Sequence, residues 1–273
     1  MRSIVVTALV VAGSFAVDAL AADPPATLGW DATLHYVTVQ APLFQRVSKL
    51  RLRVTYGRKV VYDRAVPLPS DCIADGCRLG SGSNGRAFEL VDLGSRKGPT
   101  ALIWLSTSGA HCCSIVRAVS IPEGALAAKN FGNSGARLTV LDGSRVFVSA
   151  DDRFAYLFTA FASSGFPIQI WRFRDGRFTA VTRLHPEQIA ADAARWWKLT
   201  QGAIRSRGEA RGVFAAWAAD TCALGRKAAV RRELAARVAS GVFSPSRGEP
   251  DGVTGAQYAT ALLRKLKAWG YCG

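Results

Sequence analysis
The hydrophobic pattern of this chain changes period once, at His185-Pro186, and the change limits what each side can fold into. Upstream, from Ala32 to about Val181, short alternating or apolar runs are broken by Gly, Asn and Asp, the pattern of strands and turns. Leu50-Arg51-Leu52-Arg53-Val54 alternates apolar and charged side chains, so one face can pack while the other stays wet. Ala101-Leu102-Ile103-Trp104-Leu105 is continuously apolar, which suits a strand covered on both faces. Arg174-Asp175-Gly176 sits between two alternating runs, the strongest hairpin signal in the chain.

Downstream the spacing becomes helical. Glu187 to Leu199 places Ile189, Ala193, Trp196 and Trp197 on a helix that Pro186 can open, because the missing N–H of a first-turn proline costs nothing. Arg211 to Leu224, Arg226 to Ser240 and Thr254 to Trp269 read the same way, with Gly225 and the turn-rich stretch from Ser244 to Gly252 between them. The sequence therefore predicts an α+β protein. An antiparallel β-rich domain of partial-propeller or sandwich type covers residues 22–185, and a helical C-terminal unit covers 186–273. With 49% apolar residues the chain can bury a large core.

The first 21 residues read as a signal peptide: Met1-Arg2, an apolar stretch from Ile4 to Val17, and the small-x-small site Ala19-Leu20-Ala21. No later segment is long and apolar enough to span a bilayer, so an exported, periplasmic or secreted protein is expected. Six cysteines fit that compartment, grouped as Cys72 with Cys77, Cys112 with Cys113, and Cys222 with Cys272. Six thiols allow fifteen pairings, so the grouping is an expectation. A bond from Cys222 to Cys272 closes the longest of these loops and removes chain entropy worth about 4 kcal/mol.

The candidate chemistry is sparse. His111-Cys112-Cys113 places a thiol beside an imidazole, the pairing an activated nucleophile needs, but neighbours on an extended chain point to opposite sides. A disulfide is the expected use of these cysteines. Asp151-Asp152 is a carboxylate pair suited to acid/base work, with turn and ion-pair use beside Arg153 as the ordinary alternative. His35 and His185 have no partner recognisable from sequence. Trp196-Trp197 and Trp217 have the spacing of helix packing, with a sugar platform as the sharper reading. Ser81-Gly82-Ser83-Asn84-Gly85 and Phe131-Gly132-Asn133-Ser134-Gly135 lack the lysine of a phosphate loop and read as turns.

The formal charge of +15 raises anionic partners, but it is spread along the chain: 11 cations against 7 acids over 22–100, 11 against 7 over 101–200, and 12 against 5 over 201–273. Nucleic acid is therefore disfavoured. The densest cluster runs from Arg226 to Arg237. There Lys227 and Arg231 align one turn apart, but Leu234 follows on that face and ends the stripe, so a solvated helix face is expected.

Four strings carry a family resemblance: Val91-Asp92-Leu93, Ser108-Gly109-Ala110-His111-Cys112-Cys113, Phe147 to Tyr156, and Pro167-Ile168-Gln169-Ile170-Trp171-Arg172-Phe173. They resemble a group of exported bacterial proteins similar to FG-GAP or integrin-alpha-type β-propeller repeats, over roughly residues 50 to 200. The resemblance implies a propeller-type scaffold whose inter-strand loops commonly hold calcium. The corresponding stretches here, Asp92 to Pro99 and Leu141 to Arg145, each keep one acid and gain a cation. A hard divalent ion wants six to eight oxygen ligands, so no metal or other cofactor is expected. The leading expectation is an exported, non-enzymatic binding or envelope-associated structural protein whose ligand is a protein or an envelope polymer. The alternative is an exported enzyme, thiol-dependent at His111, Cys112 or Cys113, or a hydrolase using Asp151 or Asp152. A third reading binds anionic polymers or membrane surfaces through the C-terminal cations.

Overall fold
A computed structural model describes residues 29–40, 45–95, 97–107, 113–244 and 253–272. The expected signal peptide lies outside the described residues, as do His111 and Cys112.

Three antiparallel sheets follow one another along the chain. β1 (Trp30–Gln40), β2 (Gln45–Tyr56) and β3 (Lys59–Ala65) form the first. A short helix, α1 (Ser70–Asp75), leads into the second sheet. Its strands are β4 (Arg78–Leu79), β5 (Phe88–Val91), β6 (Thr100–Ser106), β7 (Ser114–Ser120) and β8 (Leu126–Asn130), with β4 and β5 sharing one edge of β6. β9 (Ala136–Leu141), β10 (Ser144–Ala150), β11 (Ile168–Arg174) and β12 (Arg177–Ala180) form the third, in the order β12-β11-β10-β9. The turn at Asp175-Gly176 has φ of 50° and 75°, positive at both residues, as the favoured two-residue hairpin requires. Asp142-Gly143 turns β9 into β10 in the same way, with φ of 48° and 70°.

The apolar run in β6 explains how the sheets stack. Alternate strand residues face opposite sides. Ala101, Ile103 and Leu105 pack against Leu50, Leu52 and Val54 of the first sheet. Leu102 and Trp104 pack against Phe147 and Phe173 of the third. The second sheet is thus the middle layer, and its large β6 side chains are each worth about 2 kcal/mol of apolar burial. No barrel closes among the described strands.

The helical unit comprises α2 (Pro186–Arg205), α3 (Arg211–Ala223), α4 (Lys227–Ala239) and α5 (Gly255–Ala268). α2 runs six residues beyond the expected end at Leu199, because Thr200 is fully buried and Ala203 and Ile204 pack on the helical core. α3 is the central helix, covered on nearly all sides. A Cβ on Gly212 would overlap the carbonyl of Ser163 and the Thr159 side chain, so glycine here lets the loop after β10 lie directly on α3. Phe154 and Phe158 of that loop join Phe214, Tyr258 and Leu262 in the helical core. The two parts therefore share a seam rather than meeting through a linker. No described helix is long and apolar enough to cross a membrane.

Candidate functional site
The seam is where the buried carboxyl groups collect. Asp151 follows β10 and caps a single 3-10 turn, Asp152–Phe154, by accepting from the Arg153 backbone N–H at 3.1 Å. Its carboxylate, only 2% exposed, also accepts from Arg153 Nε at 2.8 Å and from the Tyr271 hydroxyl at 2.8 Å. The Arg153 guanidinium lies over the Trp269 ring, 4.7 Å from its centre. Burial, and then the Asp151 charge, push the Tyr271 hydroxyl far above its ordinary range. Tyr271 is thereby a permanent donor.

Asp152 takes a different course. Its carboxylate accepts from the Asn133 backbone N–H at 3.2 Å, beside Gly132, whose φ of +62° and missing Cβ make the room. Burial raises its pKa, opposed by that backbone bond. The two neighbouring carboxyls therefore serve separate contacts, one gripping the C-terminal residues and one a turn after β8.

A second carboxyl pair continues the seam and was not singled out in the sequence. Asp192 of α2 accepts from the Ile168 N–H at 3.0 Å and Trp196 Nε1 at 2.9 Å, while Arg195 donates to its other oxygen at 2.6 Å and 2.9 Å. Asp220 of α3 is 1% exposed. Burial first, then the Asp192 charge and a hydrogen bond to it, push its pKa up to about 10. Asp220 is thus a neutral acid at pH 7. One signal could have found it: Asp220 interrupts the otherwise apolar run from Val213 to Ala223, and a lone acid there must be neutral or paired.

Such a carboxyl and carboxylate pair is the arrangement of an acid/base dyad. Here both oxygens of Asp192 are already used. Asp192 receives donors from α2 and from β11, and Asp220 presents almost no surface to a substrate. The pair clamps α2, α3 and the start of β11.

The remaining candidates are placed as follows. Cys72 bonds to Cys77 and Cys222 to Cys272. Cys113 is disulfide-bonded, so it offers no thiol. Its backbone N–H donates to Thr107 Oγ1 at 2.8 Å and its carbonyl accepts from the Thr107 N–H at 3.1 Å, closing the β6–β7 loop. His35 lies on β1 opposite Arg51. His185, which had no partner recognisable in the sequence, has one: buried at 5% exposure, its Nδ1 lies 3.0 Å from the Asp142 carboxylate at the β9–β10 turn. In the other stretch matched to a calcium loop, Asp92 accepts from the Gly94 N–H at 2.8 Å. Trp196 is buried and the Trp197 and Trp217 rings lie 4.6 Å apart, the packing use rather than a sugar platform. Among the described residues no group of three or more His, Cys, Asp or Glu is placed to hold a metal ion.

Compared with known proteins, no family model matches the chain. No solved structure matches it. Over 91 residues it is 34% identical to a probable thylakoid lumen protein of the cyanobacterium Synechocystis sp., a stretch that takes in 31% of this chain and 27% of that protein. The chain therefore spans about a quarter of the relative it matches.

Proposed function
We propose that this is an exported, non-enzymatic protein with a binding or envelope-associated structural role. The observation that carries the reading is the use of its buried carboxyls. Asp151 and Asp220 are buried at the seam between sheet and helices and Asp192 is largely covered there, and Asp151 and Asp192 spend their oxygens on Arg153, Tyr271, Arg195, Trp196 and the Ile168 N–H. A catalytic acid or base must instead reach a substrate atom directly or through one water. Two disulfides and a bonded Cys113 support a compartment outside the reducing cytosol. The similarity to a protein described as lumenal agrees with that placement.

The likeness to FG-GAP-type repeats belongs to the same proposal. The four-stranded antiparallel meander from β9 to β12 supports it.

The test is chemical. Protein exported from its host and purified without reductant should take up no iodoacetamide at neutral pH and no fluorophosphonate label, and it should fractionate with the cell envelope. Fast alkylation at Cys112 or Cys113 would establish the thiol enzyme instead, and stoichiometric fluorophosphonate labelling a hydrolase.

A further inference from the structure
We infer that the groove between α4 and α5 is a binding site for a phosphate group, carried on a small organic molecule or on a lipid headgroup. A cavity of about 340 Å³ opens there, lined by Lys227, Arg231, Leu263, Arg264, Lys267 and Cys272. Its volume is at the small end of the range for ligand sites. Of the described residues that line it, four are cations and none is an acid.

Some cations of the chain meet carboxylates: Arg153 with Asp151, Arg195 with Asp192, Arg211 with Glu209 and Arg237 with Glu233. Within the described residues Arg231, Arg264 and Lys267 have no carboxylate within salt-bridge distance, and all three are exposed. Like charges gathered on two facing helices repel, and the buried apolar contacts of α4 and α5 are made by other residues, Val230, Leu234, Leu262 and Leu266. An anion with two or more charges relieves that repulsion. Lys227 also begins α4, where the helix dipole adds positive potential.

The composition of the wall selects the ligand class. The two guanidinium forks of Arg231 and Arg264 and the Lys267 ammonium suit an oxyanion with several acceptors, and arginine matches phosphate with two parallel hydrogen bonds. Leu263 and the bonded Cys272 add an apolar wall that receives carbon rather than charge. The site therefore fits a phosphate carried on an organic body. This inference deepens the binding reading of the previous subsection and rests on it.

The probes are inorganic pyrophosphate in titration calorimetry and sedimentation with vesicles of phosphatidylcholine containing phosphatidic acid. The variants are Arg231→Gln/Arg264→Gln and, as a charge-matched control away from the groove, Arg174→Gln/Arg177→Gln. All four positions are exposed, so both variants should unfold with unchanged Tm. Saturable binding of one pyrophosphate, weakened about tenfold or more by the groove variant and unchanged by the control, supports the site with a soluble phosphate as ligand. Vesicle binding lost in the groove variant alone, and displaced by pyrophosphate, supports it with a headgroup as the source. Equal losses in both variants would reduce the effect to diffuse net charge and overturn the site. So would the absence of binding to both probes. Failure of that kind in a protein that stays inert to the covalent probes removes the ligand and leaves the binding reading, whereas covalent labelling removes the reading itself.

Discussion
Replacing Asp220 by Asn tests whether the seam holds a buried proton. In the native state Asp220 keeps its proton up to about pH 10, because burial first and then the neighbouring Asp192 disfavour its charged form. In the unfolded chain an aspartate releases it near pH 4. Between those values the native state binds one more proton than the unfolded state, so this group makes stability fall as pH rises, by about 1.4 kcal/mol per pH unit. From pH 5 to pH 7 the loss is about 2.7 kcal/mol, a large part of an ordinary stability margin. In the Asp220→Asn variant an amide that cannot ionise would donate the same hydrogen bond to Asp192. Urea unfolding followed by tryptophan fluorescence at pH 5, 6 and 7 should therefore show the variant gaining on the native protein by about 1.4 kcal/mol at each step. Parallel profiles, with a constant difference between the two proteins, would refute the neutral Asp220 and with it the buried proton.

Other outcomes follow from the same geometry. Tyr271→Phe removes a hydrogen bond to a buried carboxylate and should cost about 1.5 to 3 kcal/mol in chemical denaturation, leaving far-UV circular dichroism unchanged. Replacing Cys222 and Cys272 by Ser opens a loop with a separation of 50 residues and should cost about 4 kcal/mol, against about 2 kcal/mol for the separation of 5 at Cys72 and Cys77, measured as a difference in unfolding midpoint. Gly132→Ala combines a φ of +62° with a methyl group overlapping the Asp152 carboxyl, and should lower stability by about 2 kcal/mol or more, whereas Gly143→Ala, which meets nothing within 4 Å, should lose only the backbone share of about 1 kcal/mol.

Much of the scaffold was legible because its signals are local. The period change at His185-Pro186 marks where strands give way to α2, and the double-sided burial of β6 follows from an apolar run with no polar face. Asp175-Gly176 turns where its backbone preference requires. The pairings Cys72–Cys77 and Cys222–Cys272 match the expected grouping. The tandem Asp151-Asp152 was visible as a pair, but not that its members part, one to Tyr271 and one to Asn133. Those partners lie 120 and 19 residues away, and no local rule reaches them. The cationic stripe is the sharpest case. On α4 alone it ends after Lys227 and Arg231 at Leu234, and it reads as a wet helix face. Its other half stands on α5, and only the packing of the two helices brings Arg264 and Lys267 across the groove. The elements, their order and two covalent staples could be read residue by residue, because backbone preference and hydrophobic period act between near neighbours. Which charges meet and which carboxyl keeps its proton had to wait for the folded chain, because electrostatic energy depends on distance through space and on burial, and neither is a property of the chain taken residue by residue.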